Sequence, residues 1–254
     1  MFRVPYGSSV LTFMVGASFF GLLLVVALAS SSHAEGESFL WRKPLVGSLF
    51  GLVCTFGILA VFFPKQCSAV LSSGKKGKHE NRDVDVSAFH GTGSIVKGHH
   101  PDCRNFSDHV FRVGGRRFCA ACTGLLLGGL IALVGAFLYF FVDWGVGESG
   151  IQVVFVGVIG VLSGLFQFKV KNNIVRLVVN CFFVFGALLL LVGIDGLVQS
   201  VLADLYVVAL VVFWLLTRIS LSQWNNWRIC HTCNMESCEY RRSDKDGAKP
   251  LSSA

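Results

Sequence analysis

Charge disappears from this chain for about twenty residues at a time, over and over. No Asp, Glu, Lys or Arg occurs between Arg3 and Glu35, Lys43 and Lys65, Arg117 and Asp143, or Glu148 and Lys169. A slightly shorter gap runs from Arg176 to Asp195, and a sixth from Asp204 to Arg218. A soluble chain of 254 residues scatters its charges; here 53% of the residues are hydrophobic and the charges are gathered into blocks. Each gap reaches roughly the twenty residues that cross ~30 Å of hydrocarbon, the sixth doing so if Asp204 lies one turn inside the interface. The expectation is an all-α, polytopic transmembrane helix bundle of about six spans, near residues 10–30, 45–63, 121–142, 150–168, 177–195 and 201–219. Such a chain is a multi-pass cell-membrane protein whose first partner is the lipid bilayer. "SSHAEGE" offers a small-x-small cleavage site at Ala34, so a signal peptide is the alternative for the first span. Its apolar run exceeds the roughly 7–15 residues of such leaders, which favours a retained helix.

Orientation follows from the lysines and arginines. Arg3, the loop 64–120, the turn 169–176 and the tail 217–254 hold 20 of the 22 basic residues, and the opposite side has only Arg42 and Lys43. Six spans put four crossings between loop and tail, which places both on one face, expected to be cytoplasmic. The chain then divides into helices one and two (1–63), a flexible cytoplasmic loop (64–97), a Cys/His-rich hairpin and knuckle (98–122), helices three to six (121–219) and a cytoplasmic Cys-rich tail (220–254). The net charge of +7 is read as loop retention and contact with anionic lipid, especially at Lys75, Lys76 and Lys78. No basic surface is interleaved with aromatic residues, so nucleic acid is not an expected partner.

Within the spans, Gly124, Gly128, Ala132 and Ala136 recur every four residues and line one helix face. Gly47 and Gly51, and Gly160 and Gly164, repeat the small-xxx-small spacing that lets helix backbones approach in lipid. Packing, rather than a pore, is the expected use. Asp195 and Asp204 flank the outer connection between the last two spans, where interfacial solvation accounts for them. No charged residue falls at a span's centre, so an ion path lacks its usual marker, and interhelical hydrogen bonding suffices for Asn180.

Seven of the nine cysteines, Cys67, Cys103, Cys119, Cys122, Cys230, Cys233 and Cys238, fall on the basic side; Cys54 and Cys181 lie mid-span as small apolar fillers. Clustered thiols in a reducing compartment serve metal or redox chemistry more often than structural disulfides. Zinc takes four ligands in a tetrahedron, and two residues between cysteines aim both sulfurs at one ion. Cys119/Cys122 and Cys230/Cys233 are two such halves, and topology brings both to one face. His99, His100, Cys103 and His109 form a second ligand set beside Cys119 and Cys122. "HVFRV" and "RRFCA" flank Gly114–Gly115, a dipeptide suited to a type I′ turn, so a short hairpin should end in the first knuckle. The redox alternative is a thiol–disulfide oxidoreductase using Cys119 and Cys122, since a helix start favours a thiolate. No phosphate-binding loop, His-Glu-x-x-His or Gly-x-Ser-x-Gly occurs.

At "HHPDCRNF" and "GGRRFCAACTGLLLG" the sequence resembles a family of small prokaryotic multipass membrane proteins defined by a domain of unknown function. The matching positions are His99 or His100, Pro101, Arg104, Phe106, Gly114 or Gly115, Cys119, Cys122, Thr123, Gly124 and Gly128. The family usually has Arg between its cysteines, where this chain has Ala120–Ala121, and a cysteine before its histidine, where this chain has Gly98. Cys103 is placed to take over that role. The resemblance implies no established activity. The expected protein is a membrane scaffold, sensor or assembly partner of other membrane proteins, carrying a cytoplasmic structural zinc site and more likely to be a non-enzyme than an enzyme.

Overall fold

The computed structural model describes residues 8–31, 41–62, 110–113, 116–145, 149–170 and 172–231. They form six helices and one small hairpin. In chain order these are α1 (Ser8–Ser31), α2 (Arg42–Phe62), β1 (Val110–Val113), β2 (Arg116–Cys119), α3 (Ala120–Phe141), α4 (Gly150–Leu165), α5 (Asn173–Val198) and α6 (Val201–His231). Five helices, all but α4, are long and apolar enough to cross a membrane. The sixteen residues of α4 rise about 24 Å, and a 3-10 turn over Gln167–Lys169 continues in the same direction.

Three local signals set the helix ends. Asn172 caps α5, its side chain accepting from the backbone N–H groups of Ile174 (2.9 Å) and Val175 (3.3 Å). At the other end Gln199 adopts the left-handed conformation (φ 51°) and its N–H returns to the Asp195 carbonyl, turning the chain into α6 within two residues. α6 runs twelve residues past the expected span end at 219. Its continuation is supported by Arg228 stacked 5.6 Å from the Trp224 ring, one helical turn earlier.

α5 is the central helix, packed between α3 and α4 by glycines on all three. A Cβ on Gly128 of α3 would lie 2.6 Å from the Cys181 carbonyl oxygen, and one on Gly160 of α4 would lie 2.9 Å from the Gly186 Cα. The expected face of α3 is buried as a whole, Gly124, Gly128, Ala132 and Ala136 included. Gly47 brings α2 onto Phe140 of α3, whereas Gly51 leaves a looser gap, with only Leu133 at 3.9 Å. α1 lies against α6 through a polar clasp: Ser18 Oγ donates to Thr217 Oγ1 (3.2 Å) and Trp214 Nε1 donates to the Ser18 carbonyl (3.3 Å). Leu, Phe and Ile side chains such as Phe13, Leu23, Phe56, Phe137, Ile159 and Leu202 point outward. Large apolar side chains thus cover much of the outside as well as the core, where Trp214, Phe50 and Phe183 are fully buried, a surface compatible with lipid.

The helices alternate in direction, which gives the bundle two unlike ends. The hairpin, the start of α5 and the turn after α4 share one end, tied together by Asn173 Nδ2 donating to the Val110 carbonyl (3.2 Å). The start of α2, the end of α3, and the connection between α5 and α6 share the other.

Candidate functional site

The hairpin forms as its sequence requires. β1 and β2 pair antiparallel, with Val113 opposite Arg116 and Val110 opposite Cys119. Phe111 stacks on Phe118 with ring centroids 5.8 Å apart, a cross-strand pair that fixes this register. The second strand then passes directly into α3, so Cys119 is the helix N-cap, in extended conformation, and Cys122 falls in the first turn. Thr123 Oγ1 bonds back to the Cys119 carbonyl at 2.9 Å. Both thiols are buried, Cys119 5% and Cys122 6% exposed, in a small cluster closed by Val61 from the end of α2 and by Phe118, Leu125 and Leu126.

A buried arginine shares this end. Arg218 of α6 is 4% exposed and within electrostatic range of Cys119 and Cys122. Its Nη2 donates to Gln167 Oε1 (3.2 Å) and to Asn180 Oδ1, and it sits 5.6 Å from the Phe183 ring. Asn180 in turn donates to the Arg176 carbonyl (2.6 Å), which fixes its amide so that the oxygen faces Arg218. The described residues supply no carboxylate here, and Arg218 Nε has no hydrogen-bond acceptor among them.

Gly124 explains why this arrangement is possible. A Cβ there would collide with the Leu177 carbonyl oxygen and lie 2.8 Å from the Asn180 Cβ. Only glycine lets the first turn of α3 touch α5 at the residue that orients Arg218. The Cys-x-x-Cys-Thr-Gly string is therefore one device: thiols, helix start and close approach.

The other sequence-assigned ligands are placed unevenly. His99, His100, Cys103, His109 and Cys233, with Cys67 and Cys238, lie outside the described residues. Cys230 belongs to the backbone of the last turn of α6, twelve residues past Arg218, or roughly 18 Å farther along the axis. Among the described residues no three His, Cys, Asp or Glu side chains group as for a metal.

The opposite end of the bundle corrects an expectation. Asp195 and Asp204 are not solvated at an interface; they are 1% and 0% exposed and face Arg42 of α2, with Tyr139 of α3 hydrogen-bonded to Asp195. The charge gaps hid this, because Arg42 and the two acids all sit at gap edges, where a linear sequence gives no sign of which ends meet. At the rim outside, Lys43 pairs with Asp143, and that hydrogen bond and charge hold the exposed Asp143 carboxyl below its usual range.

No protein-family model, curated protein or solved structure matches the chain.

Proposed function

We propose that this is an integral membrane protein whose cytoplasmic end is closed by one structural zinc ion, and that it serves as a scaffold, sensor or assembly partner for other membrane proteins. The observation that carries the reading is the burial of Cys119 and Cys122 together at the start of α3, within electrostatic range of Arg218. Two thiolates two residues apart make half a tetrahedral site, and a neighbouring positive charge offsets the negative charge that thiolate ligands bring. His100 and Cys103, also separated by two residues, are the favoured second half. The strand register is compatible with this: Val110, the first residue of β1, lies opposite Cys119. Cys230 and Cys233 are the alternative second half. In either form, metal binding would order a segment too small for a core of its own.

Elemental analysis of the purified protein in detergent tests this. The expected result is about one zinc per chain, lost in Cys119→Ser and Cys122→Ser and retained in Cys54→Ser. A metal-free protein whose Cys119 alkylates rapidly would instead favour the second reading, a membrane thiol–disulfide oxidoreductase. One observation speaks for that reading: Cys119 sits at the helix N-cap and Cys122 one turn on, where the helix dipole stabilises a thiolate.

A further inference from the structure

Two carboxyl groups meet one guanidinium at the end of the bundle away from the thiols. Arg42 Nη1 lies 2.8 Å from Asp195 Oδ1 and 3.0 Å from Asp204 Oδ2, so a single nitrogen bridges both acids. Tyr139 donates its hydroxyl to Asp195 Oδ2 at 2.8 Å. Both acids are enclosed, yet among the described residues Asp204 Oδ1 receives no hydrogen bond, and Asp195 Oδ1 touches Arg42 without hydrogen-bond geometry. An oxygen that is fully buried, charged and without a donor is one of the costliest groups a protein interior can hold.

Among the described residues the charges do not balance. α2 brings Arg42, α5 brings Asp195, α6 brings Asp204, and α3 brings the neutral Tyr139. α1 and α4 contain no ionisable side chain in their helical residues. Lys43, the next cation, lies 5.3 Å from the Tyr139 ring on its outer side and is already paired with the exposed Asp143, so that pair neutralises itself. With both buried acids ionised the cluster carries one uncompensated negative charge, and the two carboxylates repel each other across one nitrogen. One proton removes both difficulties. It brings the cluster to neutrality and supplies an O–H where a donor is lacking.

We propose that Asp195 and Asp204 are a proton-binding site, the pair holding one proton between them opposite Arg42. Ionisable residues enclosed among membrane helices are functional-site candidates, proton relays among them, and this site joins α2, α5 and α6, whose ends meet there. Release of the proton leaves a net negative charge at that junction, so the fold itself should respond to pH: stability is greatest with the proton bound and falls as pH rises through its release.

Infrared spectroscopy of the full-length protein in detergent reads the proton directly, through the carbonyl stretch of a buried carboxylic acid. At neutral pH the wild type should show one such band, which disappears at alkaline pH. Asp204→Asn and Asp195→Asn should each abolish it, because one carboxylate and Arg42 then balance without a proton, while Asp143→Asn leaves it unchanged. The two Asn variants keep the shape of the protonated acid, and the wild-type titration needs no variant at all. Absence of the band from folded wild type at neutral pH overturns the proposal. So does a band that survives in either Asn variant, since the proton would then be held by burial of one acid alone.

Discussion

Arg218 hydrogen-bonds two neutral amides, Gln167 and Asn180, that reach it from separate segments of the bundle. It stands at the edge of a charge-free gap, where a positive residue is read as a membrane anchor. In the structure it is buried, fixed by Gln167 from the turn after α4 and Asn180 from α5, within electrostatic range of Cys119 and Cys122. If it offsets the charge of a zinc–thiolate group, Arg218→Gln should speed removal of zinc by a chelator about tenfold or more, with Arg218→Lys closer to wild type. Equal rates in wild type and Arg218→Gln would separate the arginine from the metal. A second prediction concerns which residues share that ion. Cys119→Ser and Cys103→Ser should each lower bound zinc, and the double variant should lose little more than either, since members of one site do not act additively. Additive losses, or full zinc in Cys103→Ser, would move the second half of the site away from the hairpin. The cysteine pair itself was legible because two-residue spacing is a local pattern. Its arginine, its glutamine and its asparagine were not, because each comes from a different helix, and a helix contact leaves no trace in spacing.

At the scale of the element, the small-residue stripe on α3 was readable in advance, since glycine and alanine every four residues can only fall on one face. What the sequence left open was the neighbour, and the structure supplies it as α5, with the Cys181 backbone directly against Gly128. Gly128→Leu would drive a branched side chain into that backbone, and overpacking of this kind costs on the order of 1–3 kcal/mol. The thermal midpoint in detergent should fall by several degrees, whereas Leu127→Ala, at a position 42% exposed toward lipid, should leave it nearly unchanged. An unchanged midpoint for Gly128→Leu would mean that α3 and α5 do not pack through this face. The length of α6 was misread for a definite reason. A count of uncharged residues ends at Arg218, but a helix ends only when its backbone hydrogen bonds do, and buried Ser220, Leu221 and Asn226 keep α6 packed beyond that point.

For the molecule as a whole, the two ends differ in kind. One gathers the thiol pair, Arg176 and Arg218; the other gathers Arg42, Asp195 and Asp204 into a closed ion cluster with Lys43 and Asp143 at its rim. Alternating charge-free gaps were enough to foresee six helices and their alternation, because hydrocarbon thickness fixes both span length and the side on which each loop emerges. They could not foresee the pairing of Arg42 with acids more than 150 residues away. The two-ended arrangement still bears on topology. Since β1, the turn after α4 and the Arg218 segment of α6 meet at a single end, the expectation is that the long loop before β1 and the tail after α6 lie on one side of the membrane. With 20 of the 22 basic residues on that side, it should be the cytoplasm. Single cysteines placed at Lys75 and Lys245 in a cysteine-free background should therefore both resist an impermeant thiol reagent in intact cells and both react once the membrane is opened. Labelling of either position from outside would break the shared end, and with it any site that joins the loop to the tail; labelling of both from outside would keep the bundle as described and invert it.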